Sequence, residues 1–524
     1  MSGLGKGIFA SSLAKLMQDA GFRVTPIKLE GYLNIDSGTL NPYRHGEVFV
    51  LDDGMECDMD LGNYERMLDQ DLSRDNFATS GQIFTRVLQK ERSGGYLGRD
   101  VQMIPHVTGE VKLKLRELAV KSEAEVVFVE IGGTAGDFEN AYYIEAMRQL
   151  AYEEGSRNVC FVALTLILEP SILGEQKSKA AQLGIKRLMG MGIQPQIVAC
   201  RAASPVTEKV REKISIHSSV PLSRVFSMHD LESTYLMPGR MKDEKLDEEI
   251  IHLLGLEDRV DHKRGKRQEA VWNKFCHSIL HPRHEVIIGV TGKYTAVRDS
   301  YASLIRAVDD SATAMDARAT IRWIDTTDVS DENAEEQLDG VDGIIVPGGF
   351  GTRGTEGKIA CIRYARENRL PYLGICFGFQ MAVIEFARNV CGLDDANSTE
   401  IKPDCTEAVI DILPEQKEIE GLGGNMRLGG RDVEIKPATL AAKLFGGAET
   451  VRLRFRHRYE VDPRYIDTLE AAGMVFSGKA PDQPIMQILE LPDHPFFVGT
   501  QSHPEFTSRP VSPSPFYLGL VAAA

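Results

Sequence analysis

Pro371-Tyr372-Leu373-Gly374-Ile375-Cys376-Phe377-Gly378-Phe379-Gln380 is the stretch that decides how the fold is read. Pro371 to Ile375 is an apolar run of strand length, and Phe379 to Asn389 carries apolar residues at helical spacing. Only a three-residue turn separates them. A strand that passes directly into a helix is the building unit of a parallel sheet covered by helices. The glycines on either side of the turn mark a place where backbone passes close and a side chain would clash.

The same alternation extends outward through both halves. From Arg23 onward the strand candidates are Val24 to Leu29, Val126 to Ile131, Cys160 to Ile167, Ile197 to Arg201 and Val225 to Met228. Helix candidates fall at Ile8 to Ala20, Asn140 to Glu154 and Ala180 to Met191. Beyond Gly255 the apolar rhythm fades into Glu257-Asp258-Arg259 and His262-Lys263-Arg264-Gly265-Lys266-Arg267, which reads as a polar linker. Val286 to Val290, Ile321 to Ile324, Gly343 to Pro347 and Tyr372 to Ile375 then open a second series of strands. A chain of 524 residues exceeds what one hydrophobic core organises. The expected fold class is therefore α/β, with two doubly wound, mainly parallel-sheet domains at 1–255 and 284–524 and a linker at 256–283.

Bulk properties remove several function classes. A net charge of −16 argues against nucleic acid as a main partner, because phosphate backbones need a basic face. No apolar run is long enough to span a bilayer and no signal peptide is legible, so a cytoplasmic protein is expected. The eight cysteines show no C-x-x-C and no zinc spacing, and most read as inert buried thiols.

Cys376 is the exception. Strand, Gly-Ile-Cys-Phe-Gly turn and helix form a nucleophile elbow with Cys in place of Ser. A thiol at a helix N-terminus is favoured as thiolate by the dipole and the free N–H groups. Taken alone, a Cys between glycines is as often a small residue in a tight turn, so partners decide. Near the C-terminus, Phe496 to Thr500 reads as a strand running into Gln501-Ser502-His503-Pro504-Glu505, and in an extended segment His503 and Glu505 project to the same side. A base beside an orienting carboxylate completes a Cys-His-Glu triad. Val346-Pro347-Gly348-Gly349-Phe350-Gly351 ends another strand in a turn whose N–H groups, with that of Phe377, could meet an oxyanion.

These three pieces, in this order, resemble the class I glutamine amidotransferases. The resemblance implies attack by Cys376 on the glutamine side-chain amide and release of ammonia. It also implies that Gly349, Phe377, Gly378, Phe379, Gln380, Glu400 and Arg458 hold L-glutamine. For Arg458, within Arg456-His457-Arg458, a charged surface strand is the plainer alternative.

The N-terminal half carries weaker phosphate signals. Ser2-Gly3-Leu4-Gly5-Lys6-Gly7 before a helix is a fragment of a phosphate-binding loop, with N–H groups and one Lys around phosphate oxygens. The strand Val126 to Val129 ends at Glu130, a carboxylate suited to Mg²⁺ beside phosphates, and Asp60 is a second candidate.

Here the likeness widens. Lys28-Leu29-Glu30-Gly31-Tyr32-Leu33-Asn34, His45-Gly46-Glu47-Val48-Phe49-Val50, Asp60-Leu61-Gly62-Asn63-Tyr64-Glu65-Arg66, Val129 to Thr134, Lys177-Ser178-Lys179 and Gly192-Ile193-Gln194-Pro195 resemble, in order, the CTP synthase family. So do Asn397 to Glu400, Met426-Arg427-Leu428-Gly429, Arg456 to Glu460 and His503 to Ser508, so that nearly the whole chain is covered. The resemblance implies phosphorylation of the uracil O4 of UTP by ATP and displacement of that phosphate by ammonia. Carried over position by position, Gly3, Leu4, Gly5, Lys6, Gly7, Ile8, Lys28, Asp60, His229, Asp230 and Leu231 would bind ATP, and Asp60 and Glu130 would bind Mg²⁺. Ser2, Asp137, Phe138, Glu139, Lys177, Ser178, Lys179, Ala180, Ala181, Gln182 and Lys213 would form the UTP site and the CTP feedback site. A homotetramer, allosteric activation by GTP and internal passage of ammonia are also implied.

The sequence departs from the family in places. Members begin with a strand and a Gly-Gly-Val turn, whereas this chain starts inside the loop at Met1-Ser2-Gly3, which is expected to expose a sheet edge and weaken phosphate binding. Glu30-Gly31 stands for Asp-Pro, and Asn425 stands for Thr in the segment associated with GTP. Two alternatives stay open: an amidotransferase acting on another acceptor, such as a cobalamin precursor, and a truncated, synthetase-impaired paralogue serving as glutaminase or filament subunit.

Overall fold

The computed structural model describes residues 3–170, 174–292, 298–412 and 426–524. Ser2 and Asn425, both singled out in the sequence, lie outside the described residues. The chain forms two compact units. One runs to Ser37 and resumes as Asn63–Cys276; the other joins Gly38–Gly62 to His277–Ala524.

The first unit contains two three-stranded parallel sheets. In one, Val24–Glu30 lies between Phe77–Thr79 and Val126–Ile131; in the other, Ile197–Ala202 lies between Val162–Leu166 and Val225–His229. Helices Ser80–Arg92, Thr108–Lys121 and Ala141–Glu154 send Ile83, Val111, Leu115 and Tyr143 onto Ile27 and Leu29 of the first sheet. A strand buried on both faces tends to read as an apolar run, and Val24–Glu30 does so apart from Thr25, Lys28 and the terminal Glu30. A buried lysine in such a strand is a functional signal.

The largest sheet of the second unit has nine strands among the described residues. Five are parallel, in the order Ala317–Asp325, His284–Gly292, Gly343–Val346, Tyr372–Ile375 and Phe497–Thr500. Four antiparallel strands continue the sheet, namely Met486–Glu490, Val475–Lys479, Arg427–Ile435 and Thr450–His457. Helices cover both faces. Ile359, Ile362, Phe379 and Val383 pack on one side, and Leu304, Val308, Phe516 and Leu520 pack on the other.

The polar stretch read as a linker is largely helical. Residues His262–Leu280 form a 19-residue helix, because Trp272 and Phe275 give that stretch one apolar face and both are buried against Tyr235. The charged run His262 to Arg267 that masked the periodicity is the first turns of this helix. Gly38–Gly62, which the sequence leaves inside the first half, clusters with the second unit.

Candidate active site

Cys376 sits where the sequence places it, between strand Tyr372–Ile375 and helix Phe377–Asn389. Its φ of 51° and ψ of −97° are unusual for a residue with a side chain. Such strain, on the order of 1–3 kcal/mol, persists only where neighbours enforce it. The neighbours are the flanking glycines. A Cβ on Gly378 would lie 2.0 Å from the Val346 carbonyl oxygen, and one on Gly374 would lie 2.3 Å from the Tyr372 hydroxyl. That hydroxyl donates to the Gly378 carbonyl at 2.9 Å and ties the turn shut.

Strand Phe497–Thr500 pairs directly with the nucleophile strand, and the Cys376 N–H donates to the Thr500 carbonyl at 2.7 Å. This register delivers the following residues to the thiol. A methyl on Gly348 would meet His503 Cε1 at 2.8 Å and Cys376 Cβ at 3.7 Å, so base and nucleophile flank the same glycine. The His503 and Glu505 pairing also holds, at 2.7 Å between Nδ1 and Oε1. Its cause differs from the expectation, because His503 caps the short 3₁₀ turn Pro504–Phe506 rather than continuing an extended strand. Proline at the first position fixes that turn.

Burial alone would lower the His503 pKa, but the Glu505 carboxylate and the charge on the Cys376 sulfur outweigh it and hold the imidazole at about 10. His503 Nε2 is buried on the side of the ring that faces Cys376, where a proton can be transferred. Other thiols contrast. Burial lifts Cys200 and Cys361 to about 12 and Cys160 and Cys276 to about 11, which makes them poor nucleophiles.

Around the thiol, Gln380 donates to the Tyr459 carbonyl at 3.0 Å and to Gln501 Oε1 at 3.3 Å. Glu400 accepts from the Gly351 N–H at 2.8 Å, which joins it to the glycine turn of Gly349. Burial and the Glu400 charge raise the Tyr459 hydroxyl while the Arg458 charge opposes them. The sequence missed Gln501, whose side-chain amide donates to Cys376 Sγ at 3.6 Å. Its position two residues before His503 was the only signal.

In the first unit, Gly5 caps helix Lys6–Asp19 with φ of 79°. Gly3 and Leu4 precede it, and Gly7 and Ile8 lie in its first turn. Lys6 Nζ reaches the Gly133 carbonyl at 3.1 Å. Strand register places Lys28 opposite Glu130, and their side chains pair at 2.5 Å while Tyr64 donates to the other Glu130 oxygen at 3.1 Å. Lys6, Lys28 and Glu130 are thus brought to the ends of two adjacent strands. Asp60 opens helix Asp60–Leu68 and belongs to the Gly38–Gly62 segment. Among the described residues no cluster of three or more His, Cys, Asp or Glu side chains surrounds one point.

Asp137 accepts from the Thr134 N–H at 2.8 Å, while Phe138 and Glu139 are exposed. Ser178 precedes helix Lys179–Gly190 and accepts from Gln182 at 3.0 Å. Arg187 of this helix bonds the Gly136 carbonyl at 2.6 Å, which holds the Lys177, Ala180 and Ala181 segment beside the Asp137 loop. Lys213 is exposed on helix Glu208–Ser218. His229 ends its strand against Ser227 at 3.1 Å, Asp230 pairs with Arg201, and Leu231 follows outside regular structure. Among the described residues no helix is long and apolar enough to cross a membrane.

Two family models match the chain. A family model described as CTP synthase N-terminus matches residues 1–256, and one described as glutamine amidotransferase class-I matches residues 296–523. The chain is 50% identical over 525 residues to a CTP synthase of Thermococcus gammatolerans, covering 100% of this chain and 97% of the relative. A CTP synthase of Thermus thermophilus is 46% identical over 529 residues, covering 100% and 95% respectively. Among solved structures, the Trypanosoma brucei CTPS glutaminase domain with bound acivicin is 38% identical, with 45% of this chain and 93% of that chain covered at a TM-score of 0.43.

Proposed function

The chain belongs to the CTP synthase family, and from that premise we propose that Cys376 is the nucleophile that releases ammonia from glutamine for use at a nucleotide site built around Lys6, Lys28 and Glu130. The enzyme is a glutamine-hydrolysing ligase that aminates UTP at C4 to CTP at the expense of ATP. The observation that carries the residue assignment is the strained Cys376 elbow beside the buried His503–Glu505 pair.

Cys376 sulfur attacks the amide carbon, and the oxyanion is received by the N–H groups of Phe377 and Gly349. His503 passes a proton from Nε2 to the amide nitrogen as its bond to carbon breaks, so that it leaves as ammonia, and Glu505 keeps the ring oriented. Water then hydrolyses the glutamyl thioester. Gly378, Phe379, Gln380, Glu400 and Arg458 complete the glutamine site in this reading. In the nucleotide half, residues 3–8 with His229, Asp230 and Leu231 bind ATP, and Lys28 meets the transferring phosphoryl group. Asp60 and Glu130 hold Mg²⁺, which neutralises phosphate charge when bound. Lys28 and Tyr64 fix the orientation of the Glu130 carboxylate, and Lys28 would turn from it to the phosphoryl group when the metal binds. Phosphorylation of uracil O4 makes a leaving group that ammonia displaces. Asp137 to Glu139, Lys177 to Gln182 and Lys213 bind UTP and, as feedback inhibitor, CTP. Residues 1–255 carry this chemistry and 284–524 the glutamine chemistry, with 256–283 between them. GTP activation, a homotetramer and a cytoplasmic location complete the reading.

The test is CTP formation by the purified chain from UTP, ATP and Mg²⁺, with ammonium and with glutamine in parallel. Product from both nitrogen sources is expected. Glutamine hydrolysis with no CTP from either source would overturn the synthetase assignment and leave a glutaminase.

A further inference from the structure

The hairpin Val48–Val50 and Glu56–Asp58 lies in sequence between the strand of Lys28 and the helix opened by Asp60, yet it packs within the cysteine unit. Strand Thr450–His457 grips it with three arginines at alternate positions. Arg452 bonds the Asp52 carboxylate through Nε at 3.0 Å and through Nη2 at 2.8 Å. Arg454, only 1% exposed, donates to the Val50 carbonyl at 3.2 Å. Arg456 Nε donates to the buried Glu56 carboxylate at 2.7 Å. Alternate residues of a strand share a face, so the three guanidinium groups form one row along the hairpin.

The backbone of the same arginines serves the triad. The Arg454 carbonyl accepts the His503 N–H at 2.8 Å, and the Arg456 carbonyl accepts Cys376 Sγ at 3.6 Å. A second path runs through rings: Phe49 of the hairpin packs edge-on to Phe506 at 5.0 Å, and Phe506 stacks on the His503 imidazole at 5.1 Å. The hairpin therefore reaches both the nucleophile and the base, each through one intermediate residue.

We propose that Glu56 and Arg456 are positioning residues for glutamine hydrolysis, the pair fixing the strand whose carbonyls seat Cys376 and His503. The inference rests on Cys376 being the glutaminase nucleophile. A displacement near 1 Å at reacting groups costs about a hundredfold in rate, so release of this strand acts on turnover more than on glutamine affinity.

The experiment compares Glu56→Gln, Arg456→Lys and the double variant in the full-length enzyme. It measures glutaminase kcat and KM, the alkylation rate of Cys376 by iodoacetamide, and the ratio of glutamine-driven to ammonia-driven CTP formation. In each single variant, kcat is expected to fall about tenfold to a hundredfold with KM for glutamine changed less than about threefold. The alkylation rate and the nitrogen-source ratio fall with it. The double variant is expected to be no worse than the weaker single one, because the two side chains act as one unit. Wild-type kcat in Glu56→Gln, or single effects that multiply in the double variant, would overturn the proposal. A Cys376→Ala control that still hydrolyses glutamine would instead overturn the premise.

Discussion

Glu505 Oε1 lies 2.7 Å from His503 Nδ1 across a single proline, while the other ring nitrogen of His503 is buried beside Cys376. One carboxylate thus sets both the orientation and the charge of the base. Buried imidazoles ordinarily lose their proton more readily, and here the neighbouring charges reverse that.

Glutaminase activity is expected to persist through neutral pH and to fall on an alkaline limb near 10, where His503 loses its proton. Glu505→Gln removes the largest raising charge, so that limb should move toward the ordinary imidazole range while kcat falls about 10²–10⁴-fold. A pH profile of glutamine hydrolysis checks both. The same shift bears on stability: a histidine whose pKa rises on folding contributes fully below its unfolded value of 6.5 and loses that contribution as pH rises toward 10. Denaturant unfolding at pH 6 and pH 10 reads the difference, and it should shrink in Glu505→Gln.

Cys376→Ala should abolish glutamine-driven CTP formation and leave ammonia-driven formation within about twofold, because ammonium bypasses the thiol. Loss of both, in a protein with an unchanged unfolding transition, would count against two separate sites.

The elbow itself is strained. Cys376→Gly, equally inactive with glutamine, should be more stable than Cys376→Ala by about 1 kcal/mol, since glycine accepts the positive φ without penalty. Equal unfolding midpoints would show that the surroundings have relaxed.

Gly378→Ala sets a methyl 2.0 Å from a backbone carbonyl that a neighbouring strand holds in place. Destabilisation of at least ~2 kcal/mol is expected, together with loss of glutaminase activity. Thermal unfolding and glutamine turnover measure it.

Lys28→Ala leaves the Glu130 carboxylate buried without its cation, at a cost of about 3–5 kcal/mol in the first unit. CTP formation should be lost with either nitrogen source while glutamine hydrolysis survives. Chelation of Mg²⁺ should give the same pattern reversibly.

Local signals determined a good deal of this. The Gly-Ile-Cys-Phe-Gly turn specified strand, elbow and helix because a clash-free turn there tolerates only glycine on either side. Apolar runs such as Val24–Glu30 and Tyr372–Ile375 announced buried parallel strands, while Lys28 within one of them was singled out only through the family resemblance. Helix His262–Leu280 was hidden because five charged or polar residues and a glycine at its start outweigh the two aromatic anchors, Trp272 and Phe275.

What the tertiary structure alone decided is which distant segments meet. Nothing near Glu56 in sequence points to Arg456, 400 residues away, and nothing around Gln501 predicts its contact with Cys376. Local composition encodes which conformation a segment prefers, because that depends on neighbours a few bonds away. Strand order and register depend on burial summed over the whole sheet, and they brought His503 to Cys376 and the hairpin at 48–58 to the row of arginines.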